Sequence, residues 1–257
     1  MLKKIIPLLL IAFLFSCAEE KPKKAIQKKV SQVKVVKKVK KEPKPDLINN
    51  KNVVERLTAY GKKNPETIAD IYTSKGKVRV RLYKDTPLHR ANFVLLTKSG
   101  YYDGCYFSRV SKNFMAQFGG SYNDHQREVQ KKIGVYTIPA EMSHHHFHKK
   151  GALAAARDYT NNPDKRSAMD EAYFVEGVTF SNYALSKYEH DNHYKYTQKQ
   201  IDYYEKTPGA AHIDGEHTVF GIIIKGFSAV PKLTAVATDS QEWPTTNLYV
   251  DSIRIIK

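Results

Sequence analysis

Hydrophobic and polar side chains alternate along residues 67–83, apart from a polar, glycine-containing interruption at residues 74–77. In a β-strand, successive side chains point to opposite faces, so an alternating pattern is typical of a strand with one buried face. A short polar stretch with glycine between two such runs is typical of a turn. The pattern therefore predicts a β-hairpin over residues 67–83.

Apolar positions that recur every three or four residues predict helices elsewhere in the chain. One such stretch covers residues 52–63. A second follows Thr86 and Pro87 and ends near Gly100. Threonine is a favourable helix cap, proline is tolerated in the first turn, and glycine commonly ends a helix. A third helix is expected over residues 228–237.

Short runs rich in β-branched, aromatic and small apolar residues predict further strands. They cover residues 106–110, 114–118, 152–156, 172–176 and 218–224, and a final alternating strand covers residues 247–256. Several short strands together with two capped helices are typical of a closed β structure with helices over its ends. The pattern therefore predicts a mainly β domain.

Residues 178–210 differ in composition, because tyrosines lie among Lys, His, Gln and Glu without a strand pattern. This segment is predicted to be a partly helical insertion between strands. Its tyrosines are Tyr183, Tyr188, Tyr194, Tyr196, Tyr203 and Tyr204. They either form a ligand-binding surface or pack the insertion against the barrel, and we favour the second interpretation.

The first residues have the pattern of a secretory signal. Two lysines precede an apolar run over residues 5–15, and these 11 residues are too few for a membrane-spanning helix, which needs roughly 20. The run ends in Leu-Phe-Ser-Cys at residues 14–17, which resembles the lipobox of bacterial lipoproteins. We therefore predict a signal peptide over residues 1–16 and lipidation of Cys17. The alternative is an ordinary signal with an incidental cysteine.

A lipidated Cys17 would anchor the chain stably to a membrane, because buried acyl chains contribute about 0.8 kcal/mol per methylene group. Ala18, rather than aspartate, follows this cysteine and resembles the sorting pattern of outer-membrane lipoproteins. The expected location is therefore the cell envelope, on the periplasmic face of the outer membrane rather than the cell surface. The other cysteine, Cys105, is predicted to be a core residue and not a nucleophile.

The net charge of +16 would point to nucleic acid or an anionic membrane if it were spread over the domain. The signal holds +2 and residues 18–50, with 11 lysines and four carboxylates, hold +7, which leaves +7 for residues 51–257. A Lys-rich segment without aromatic residues buries too little apolar surface to fold, so residues 17–50 are predicted to be a tether. A cationic amphipathic helix on anionic lipid is the alternative. Nucleic acid is not an expected partner in this compartment.

The run Gly-Tyr-Tyr-Asp-Gly-Cys-Tyr-Phe-Ser-Arg-Val at residues 100–110, followed by Phe-Met-Ala-Gln at residues 114–117, resembles the signature of the cyclophilins, which are peptidyl-prolyl cis–trans isomerases. Further segments resemble the family in the same order, at residues 91–93, 151–157, 172–175 and 212–221. The resemblance covers residues 67–257. It implies a closed eight-stranded antiparallel β-barrel capped by two α-helices, which agrees with the pattern above and is predicted for residues 51–257.

The chemistry of prolyl isomerisation sets the requirements for the site. An X-Pro amide rotates over a barrier of about 18–20 kcal/mol, because the nitrogen lone pair is delocalised into the carbonyl. No bond breaks, so we expect no nucleophile, metal or other cofactor. The site must hold the proline ring and favour the twisted state, in which the nitrogen becomes basic. A fixed guanidinium that donates to this nitrogen meets the last requirement.

The resemblance implies catalytic roles for three residues. Arg109 is the catalytic donor, Phe114 forms a wall of the proline pocket, and Gln117 holds a substrate carbonyl and helps to orient Arg109. The partners implied are proline-containing polypeptides, and we expect the enzyme to act as a monomer that assists the folding of exported proteins.

The resemblance also implies a set of substrate-binding residues, which are Met115, Ala156, Arg157, Glu171, Tyr173, Phe174, Ile213 and His217. Ala156 and Arg157 are expected to present backbone groups to the peptide. Tyr173 is the expected pocket aromatic, although a shift of one residue would give Phe174 instead. Whether His217 contributes to catalysis or only lines the rim stays open.

Four positions depart from the family pattern. Ser108 replaces a common histidine, Phe118 a common glycine, Glu171 a common glutamine, and His212 the tryptophan of strongly cyclosporin-binding members. Ser108 and Glu171 leave open a second function, a catalytically weak module that binds proline-containing segments. A third possibility, which rests on the basic tether instead, is an envelope-attachment protein whose tether is the working part. The histidines over residues 144–148 resemble metal ligands in type only, and we expect no metal there.

Overall fold

The structure is a computed structural model and describes residues 47–256. The predicted signal peptide, the lipidation of Cys17 and all but the end of the predicted tether lie outside the described residues and stay predictions. Within residues 47–256, no helix combines the length and the apolar character that crossing a bilayer requires.

Residues 47–256 form ten β-strands, six α-helices and two short 3-10 helices. The strands are β1 (Ile68–Thr73), β2 (Gly76–Leu82), β3 (Cys105–Ser111), β4 (Met115–Gly119), β5 (Thr137–Ile138), β6 (Ala152–Ala155), β7 (Ser167–Ala168), β8 (Glu171–Val175), β9 (Val219–Lys225) and β10 (Tyr249–Ile256). The α-helices are α1 (Val53–Lys63), α2 (Pro87–Lys98), α3 (Asp124–Ile133), α4 (Asn182–Asp191), α5 (Gln198–Lys206) and α6 (Val230–Thr234). The 3-10 helices cover Ala211–Ile213 and Phe227–Ala229.

Eight strands close into an antiparallel barrel in the order β1-β10-β3-β4-β8-β6-β9-β2, and β5 pairs only with β7. The alternation in the sequence has a direct structural counterpart in β2, where Val78, Val80 and Leu82 are buried and Arg81 is exposed. Closure leaves no barrel strand with an unpaired edge. The predicted mainly β fold with a closed eight-stranded antiparallel barrel is confirmed.

Two helices cover the barrel, as predicted. Helix α2 packs against β10, and α6 packs against β3 and β4. Helix α1 packs on α2, where a Cβ atom added at Gly61 would lie 3.0 Å from the Cβ of Ala91. Glycine therefore allows the two helices to approach closely.

The start of α2 is where the sequence predicts it, but its cap is different. The side chain of Thr86 makes no capping hydrogen bond. Instead, the backbone N–H groups of Leu88 and His89 each donate to the Glu141 carboxylate at 2.9 Å. An anion beside the first turn satisfies N–H groups that have no partner within the helix and interacts favourably with the helix dipole.

Helix α3 was not predicted, because its sequence is strongly polar and has only two apolar residues, Val129 and Ile133. Only Gln126 and Val129 of this helix are buried. Its start is capped by Asn123, whose side chain accepts from the Gln126 N–H at 3.2 Å. The buried Gln126 amide in turn donates to the Tyr101 carbonyl at 2.7 Å. The helix is therefore held by polar contacts that no apolar pattern reveals.

The domain begins before residue 51, where the sequence placed its start. Ile48 is 7% exposed and belongs to the main hydrophobic core. Its N–H donates to the Ile133 carbonyl at 2.8 Å, and the Asn50 side chain accepts from the Thr137 N–H at 2.7 Å. The last residues of the predicted tether are therefore part of the folded domain.

Cys105 lies in the core of the barrel. Its burial raises the pKa of the thiol well above the ordinary value. Because the thiolate is the nucleophilic form, this environment favours the predicted structural role over a reactive one.

The insertion at residues 178–210 consists of α4, α5 and their connections, and its two ends are joined. The N–H of Val178 donates to the Gly209 carbonyl at 2.9 Å, and the N–H of Gly209 donates to the Val178 carbonyl at 2.8 Å. Tyr194, Tyr196 and Tyr204 are buried together in a small core of their own. These three tyrosines are therefore packing residues, and the core that they share is separate from that of the barrel.

Candidate functional site

The β3–β4 pair places Arg109 on the outside of the barrel. The register between these strands shifts between Phe107 and Arg109, so that one extra residue, Ser108, lies in β3. A bulge of this kind re-aims the side chains that follow it. Phe107 and Val110 are both buried in the barrel, whereas the Arg109 side chain is 46% exposed.

A cavity of about 490 Å³ lies beside this arginine. It is lined by Arg109, Phe114, Met115, Gln117, Ala156, Arg157, Tyr159, Glu171, Tyr173, His212, Ile213 and His217. Every site residue expected from the sequence lines it except Phe174. Tyr159 was missed, and His212 had been noted only as a departure from the family pattern.

The strand β8 decides between the two candidate aromatics. Phe174 is fully buried in the barrel core, with its ring centroid 5.3 Å from that of Phe118. Tyr173 belongs to a second apolar cluster, with Met115 and Ile213. Neighbouring residues of a strand point to opposite faces, so only one of the pair can reach the cavity. Phe174, expected from the sequence as a possible binding residue, therefore does not line the cavity, and Tyr173 is the aromatic residue of β8 that does.

The apolar part of the cavity is compact and buried. Met115, Tyr173 and Ile213 are each less than a tenth exposed, and Phe114 packs against them. The ring of His212 lies with its centroid 4.7 Å from that of Phe114. Burial lowers the pKa of His212, so this edge of the cavity is uncharged at neutral pH.

The guanidinium of Arg109 has a partner that the sequence did not indicate. Its Nε lies 2.5 Å from Oε2 of Glu242, in the segment before β10, and its Cζ lies 5.7 Å from the Phe114 ring centroid. Burial acts to raise the pKa of Glu242, but hydrogen bonds from Ser111 and Arg109 outweigh it, so that this pKa lies below the ordinary value. Glu242 is therefore ionised at neutral pH and holds the Nε edge of the guanidinium.

Glu171 places a carboxyl group beside Gln117 in the cavity. Burial, and then the charge of Asp170, raise the pKa of Glu171, while hydrogen bonds from Tyr122 and Gln117 act in the opposite direction. The Tyr122 hydroxyl donates to its Oε1 at 3.2 Å. Gln117 thus lines the cavity and also contacts the Glu171 carboxyl group. The family pattern has a glutamine at the position of Glu171.

His217 lines the rim as a neutral imidazole with a defined tautomer. Its Nδ1–H donates to the Ala155 carbonyl at 3.0 Å, and its Nε2 accepts from the Tyr159 hydroxyl at 2.7 Å. Burial, and then the neighbouring His148, lower its pKa to about 3. This histidine therefore offers hydrogen bonds but no charge, and it holds Tyr159 at the mouth of the cavity.

Ala156 and Arg157 line the cavity, but the Ala156 backbone and the Arg157 side chain already have partners. The Ala156 N–H donates to the Glu171 carbonyl at 3.0 Å, so it is not free for a peptide as expected. The Arg157 side chain donates to the Glu216 carbonyl at 2.7 Å and also binds the Glu216 carboxylate. Its Cζ lies 3.8 Å from the Tyr159 ring centroid. Arg157 therefore supports Tyr159 more directly than it could support a substrate.

The histidine run at residues 144–148 is divided among separate contacts. His144 stacks on Tyr194, and His146 hydrogen-bonds to Asp85 at 2.8 Å. His148 faces the opposite way, toward Asp214. Over residues 47–256, no three His, Cys, Asp or Glu side chains come together in a way that could hold a metal ion.

Comparison with known sequences identifies one family. The sequence profile described as "Cyclophilin type peptidyl-prolyl cis-trans isomerase/CLD" matches residues 68–255. A peptidyl-prolyl cis-trans isomerase of Acinetobacter baylyi is 28% identical over 194 residues, which cover 74% of this chain and 85% of the relative. A putative peptidyl-prolyl cis-trans isomerase of Staphylococcus epidermidis is 27% identical over 188 residues, which cover 72% of this chain and 89% of the relative.

Solved structures agree at the level of the fold. A cyclophilin type peptidyl-prolyl cis-trans isomerase of Cryptosporidium parvum matches with a TM-score of 0.53 at 18% identity, covering 75% of this chain and 98% of that chain. A second crystal structure, in the presence of the dipeptide Ala-Pro, matches with a TM-score of 0.52 and covers 74% of this chain and 99% of that chain. Because the profile spans well over half of the sequence, the chain belongs to the family of cyclophilin-type peptidyl-prolyl cis–trans isomerases.

Proposed function

We propose that the chain isomerises X-Pro bonds in the cavity beside β4 and β8, with Arg109 as the catalytic donor. The observation that carries this proposal is the position of a half-exposed guanidinium 5.7 Å from the Phe114 ring, at the edge of an apolar cavity of about 490 Å³. That volume leaves room for a proline ring and part of its flanking backbone. The arrangement supplies both requirements of the reaction: an apolar grip and a fixed cationic donor.

The apolar residues and the polar residues divide the work. Phe114, Met115, Tyr173 and Ile213 hold the proline ring, which removes it from water and fixes its orientation. Gln117 lies opposite Arg109 in the β3–β4 register and takes a substrate carbonyl. Rotation then occurs about the C–N bond while the proline side of that bond stays held in the cavity.

Arg109 acts on the twisted state. As the amide rotates, the proline nitrogen loses its delocalisation and becomes a hydrogen-bond acceptor, so a donor placed there is used mainly in the transition state. Glu242 occupies Nε, which leaves the two Nη groups for the substrate. A charge-assisted hydrogen bond contributes roughly 1.5–3 kcal/mol. An acceleration of about five decades needs roughly 7 kcal/mol, so exclusion of water and positioning supply the rest.

The proposal is tested by exchange spectroscopy or a protease-coupled assay on an Ala-Pro peptide, with Arg109→Ala as the matched variant. We expect the wild-type rate to exceed that of the variant by about one to two orders of magnitude, while the affinity for the peptide changes by less than tenfold. A wild-type rate no faster than the variant, with peptide binding retained, would show that the domain is a binding module instead.

We further propose that the substrates are exported proteins and that Cys17 anchors the enzyme to the outer membrane. The signal-like run and the Leu-Phe-Ser-Cys sequence at residues 14–17 support this location. Mass spectrometry of the mature protein should find an acylated N-terminal cysteine. Cys17→Ser should move the protein from the membrane fraction to the soluble fraction, and unchanged fractionation would refute the lipid anchor.

A further inference from the structure

A buried chain of four side chains connects the insertion to the cavity. The Tyr204 hydroxyl in α5 donates to Oδ2 of Asp214 at 2.6 Å. Oδ1 of Asp214 lies 2.7 Å from Nδ1 of His148, and Nε2 of His148 lies 3.0 Å from the Tyr173 hydroxyl. All four residues are at most 3% exposed. The chain therefore runs from the insertion to the floor of the cavity without contact with solvent.

The hydrogen bonds of Asp214 hold both of its neighbours in the chain. Asp214 also accepts from the His148 N–H at 2.8 Å, so its carboxylate receives three donors. Nδ1 of His148 therefore faces Asp214, which turns Nε2 of the same ring toward the Tyr173 hydroxyl at 3.0 Å. A buried network with every partner present holds its members in one arrangement.

This chain orients a side chain and does not supply an acid or a nucleophile. Burial raises the pKa of Tyr173 well above the ordinary value, and its hydroxyl is already used by His148. The part of Tyr173 that faces the cavity is therefore the aromatic ring, in the cluster with Met115 and Ile213.

The insertion supplies the fixed end of the chain. The Tyr204 ring packs edge-on against Phe147, Phe180 and Tyr196. A Cβ atom added at Gly209 would lie 2.4 Å from this ring and 2.7 Å from the His148 carbonyl oxygen, so glycine is required for the close approach. The position of Tyr204 is thus set by packing within the insertion and against Phe147.

We infer that His148 and Asp214 are positioning residues for the proline cavity, through which the insertion at residues 178–210 fixes the ring of Tyr173. This inference rests on the proposed function of the cavity. The Tyr173 ring contacts a bound proline in its cis, trans and twisted forms alike. Loosening the ring therefore weakens binding of all three, which raises KM and leaves kcat nearly unchanged.

The test compares two tyrosine hydroxyls of the insertion in the full-length protein. Tyr204→Phe removes the donor to Asp214, and Asp214→Asn removes the charge at the centre of the chain. We expect KM for an Ala-Pro peptide to rise about threefold in Tyr204→Phe and about tenfold in Asp214→Asn. Both effects are of the size expected for the loss of one hydrogen bond. The matched control is Tyr196→Phe, because Tyr196 is equally buried but donates to the Ala211 carbonyl at 2.7 Å instead. This control should leave KM within about 1.5-fold of wild type.

A Tyr173→Phe background separates positioning from general stability. In that background the link to His148 is absent, so Tyr204→Phe should no longer change KM. The inference is overturned if Tyr204→Phe behaves like Tyr196→Phe, or if its effect persists unchanged in the Tyr173→Phe background. Loss of folding in Asp214→Asn does not affect the test, since Tyr204→Phe removes a single hydroxyl.

Failure of the underlying function gives a different result. A wild-type rate equal to that of Arg109→Ala would refute isomerase activity in the cavity. Calorimetric titration of the same peptide would then report the effect of Tyr204→Phe on Kd, and an unchanged Kd would overturn the positioning role independently.

Discussion

At the scale of single residues, the site depends on how charges are distributed around one cation. Glu242 is ionised beside Arg109, whereas His212 and His217 are kept neutral by burial. Arg109 therefore faces one carboxylate at its Nε edge, while the two histidines that line the cavity carry no charge. This distribution leaves the substrate-facing edge of the guanidinium free for an amide nitrogen.

Glu242→Ala tests whether this carboxylate positions Arg109. An arginine side chain that is 46% exposed has many rotamers, and its fixed partner at 2.5 Å reduces them. We expect kcat/KM to fall about three- to tenfold, with partial recovery in Glu242→Gln, which keeps a neutral acceptor. The melting temperature should change little because exposed ion pairs contribute only about 0–1 kcal/mol. An increase in kcat/KM would mean that Glu242 competes with the substrate instead.

His217 makes folding stability depend on pH. Its pKa is about 3 in the folded protein and 6.5 ordinarily, so the unfolded chain binds a proton first as the pH falls. Stability is therefore lost as the pH falls below about 6.5, and His217 accounts for about 2 kcal/mol of this loss at pH 5. Urea unfolding of the wild type and His217→Gln at pH 7 and pH 5 measures the difference. Equal losses in both proteins would contradict the assignment.

At the scale of elements, contacts between distant segments complete helices and strands that begin locally. Helix α2 starts where Thr86 and Pro87 indicate, yet its free N–H groups are satisfied by Glu141, more than 50 residues later in the chain. The same carboxylate lies 2.6 Å from Nδ1 of the buried His89. One side chain therefore caps the helix and satisfies a buried imidazole.

Glu141→Ala should destabilise the fold by about 2–4 kcal/mol, because it removes the helix cap and leaves Nδ1 of the buried His89 without a partner. Glu141→Gln keeps one acceptor and should cost about half as much. Glu55→Ala is the control, since Glu55 is an exposed carboxylate in the first turn of α1 and should contribute no more than about 0.5 kcal/mol. Equal effects of Glu141→Ala and Glu55→Ala in thermal unfolding would exclude the proposed cap.

At the scale of the whole molecule, the domain extends to residues that composition assigns to the tether. Ile48 is a core residue, and Asn50 accepts a hydrogen bond from the Thr137 backbone. The charge-rich composition of residues 18–50 conceals this boundary, because four uncharged residues follow a long lysine-rich stretch.

A pair of truncations locates this boundary. A fragment of residues 47–257 should keep the kcat/KM and the melting temperature of the full-length protein. A fragment of residues 51–257 should be less stable by about 2–4 kcal/mol, because it loses the buried Ile48 side chain and several hydrogen bonds. Equal unfolding of the two fragments in urea would show that residues 47–50 do not contribute to the fold.

The strands and the core of the site were predictable because they depend on local order. Alternation places Val78 and Val80 inside the barrel whatever strand lies next to them, and the motif at residues 100–117 carries Arg109 and Gln117 on one hairpin. The orientation of these side chains depends on residues only a few positions away in the chain, and the sequence shows those residues directly.

Closure of the barrel decided the rest. Glu242 reaches Arg109 across 133 positions of sequence, and Asp214 reaches His148 across 66. Polar residues in loops carry no periodicity, so their partners become defined only when separate strands and the insertion pack together. The sequence by itself determined the barrel, the pocket wall and the arginine beside the cavity, whereas the tertiary structure determined which carboxylates contact this arginine and the chain behind the pocket tyrosine.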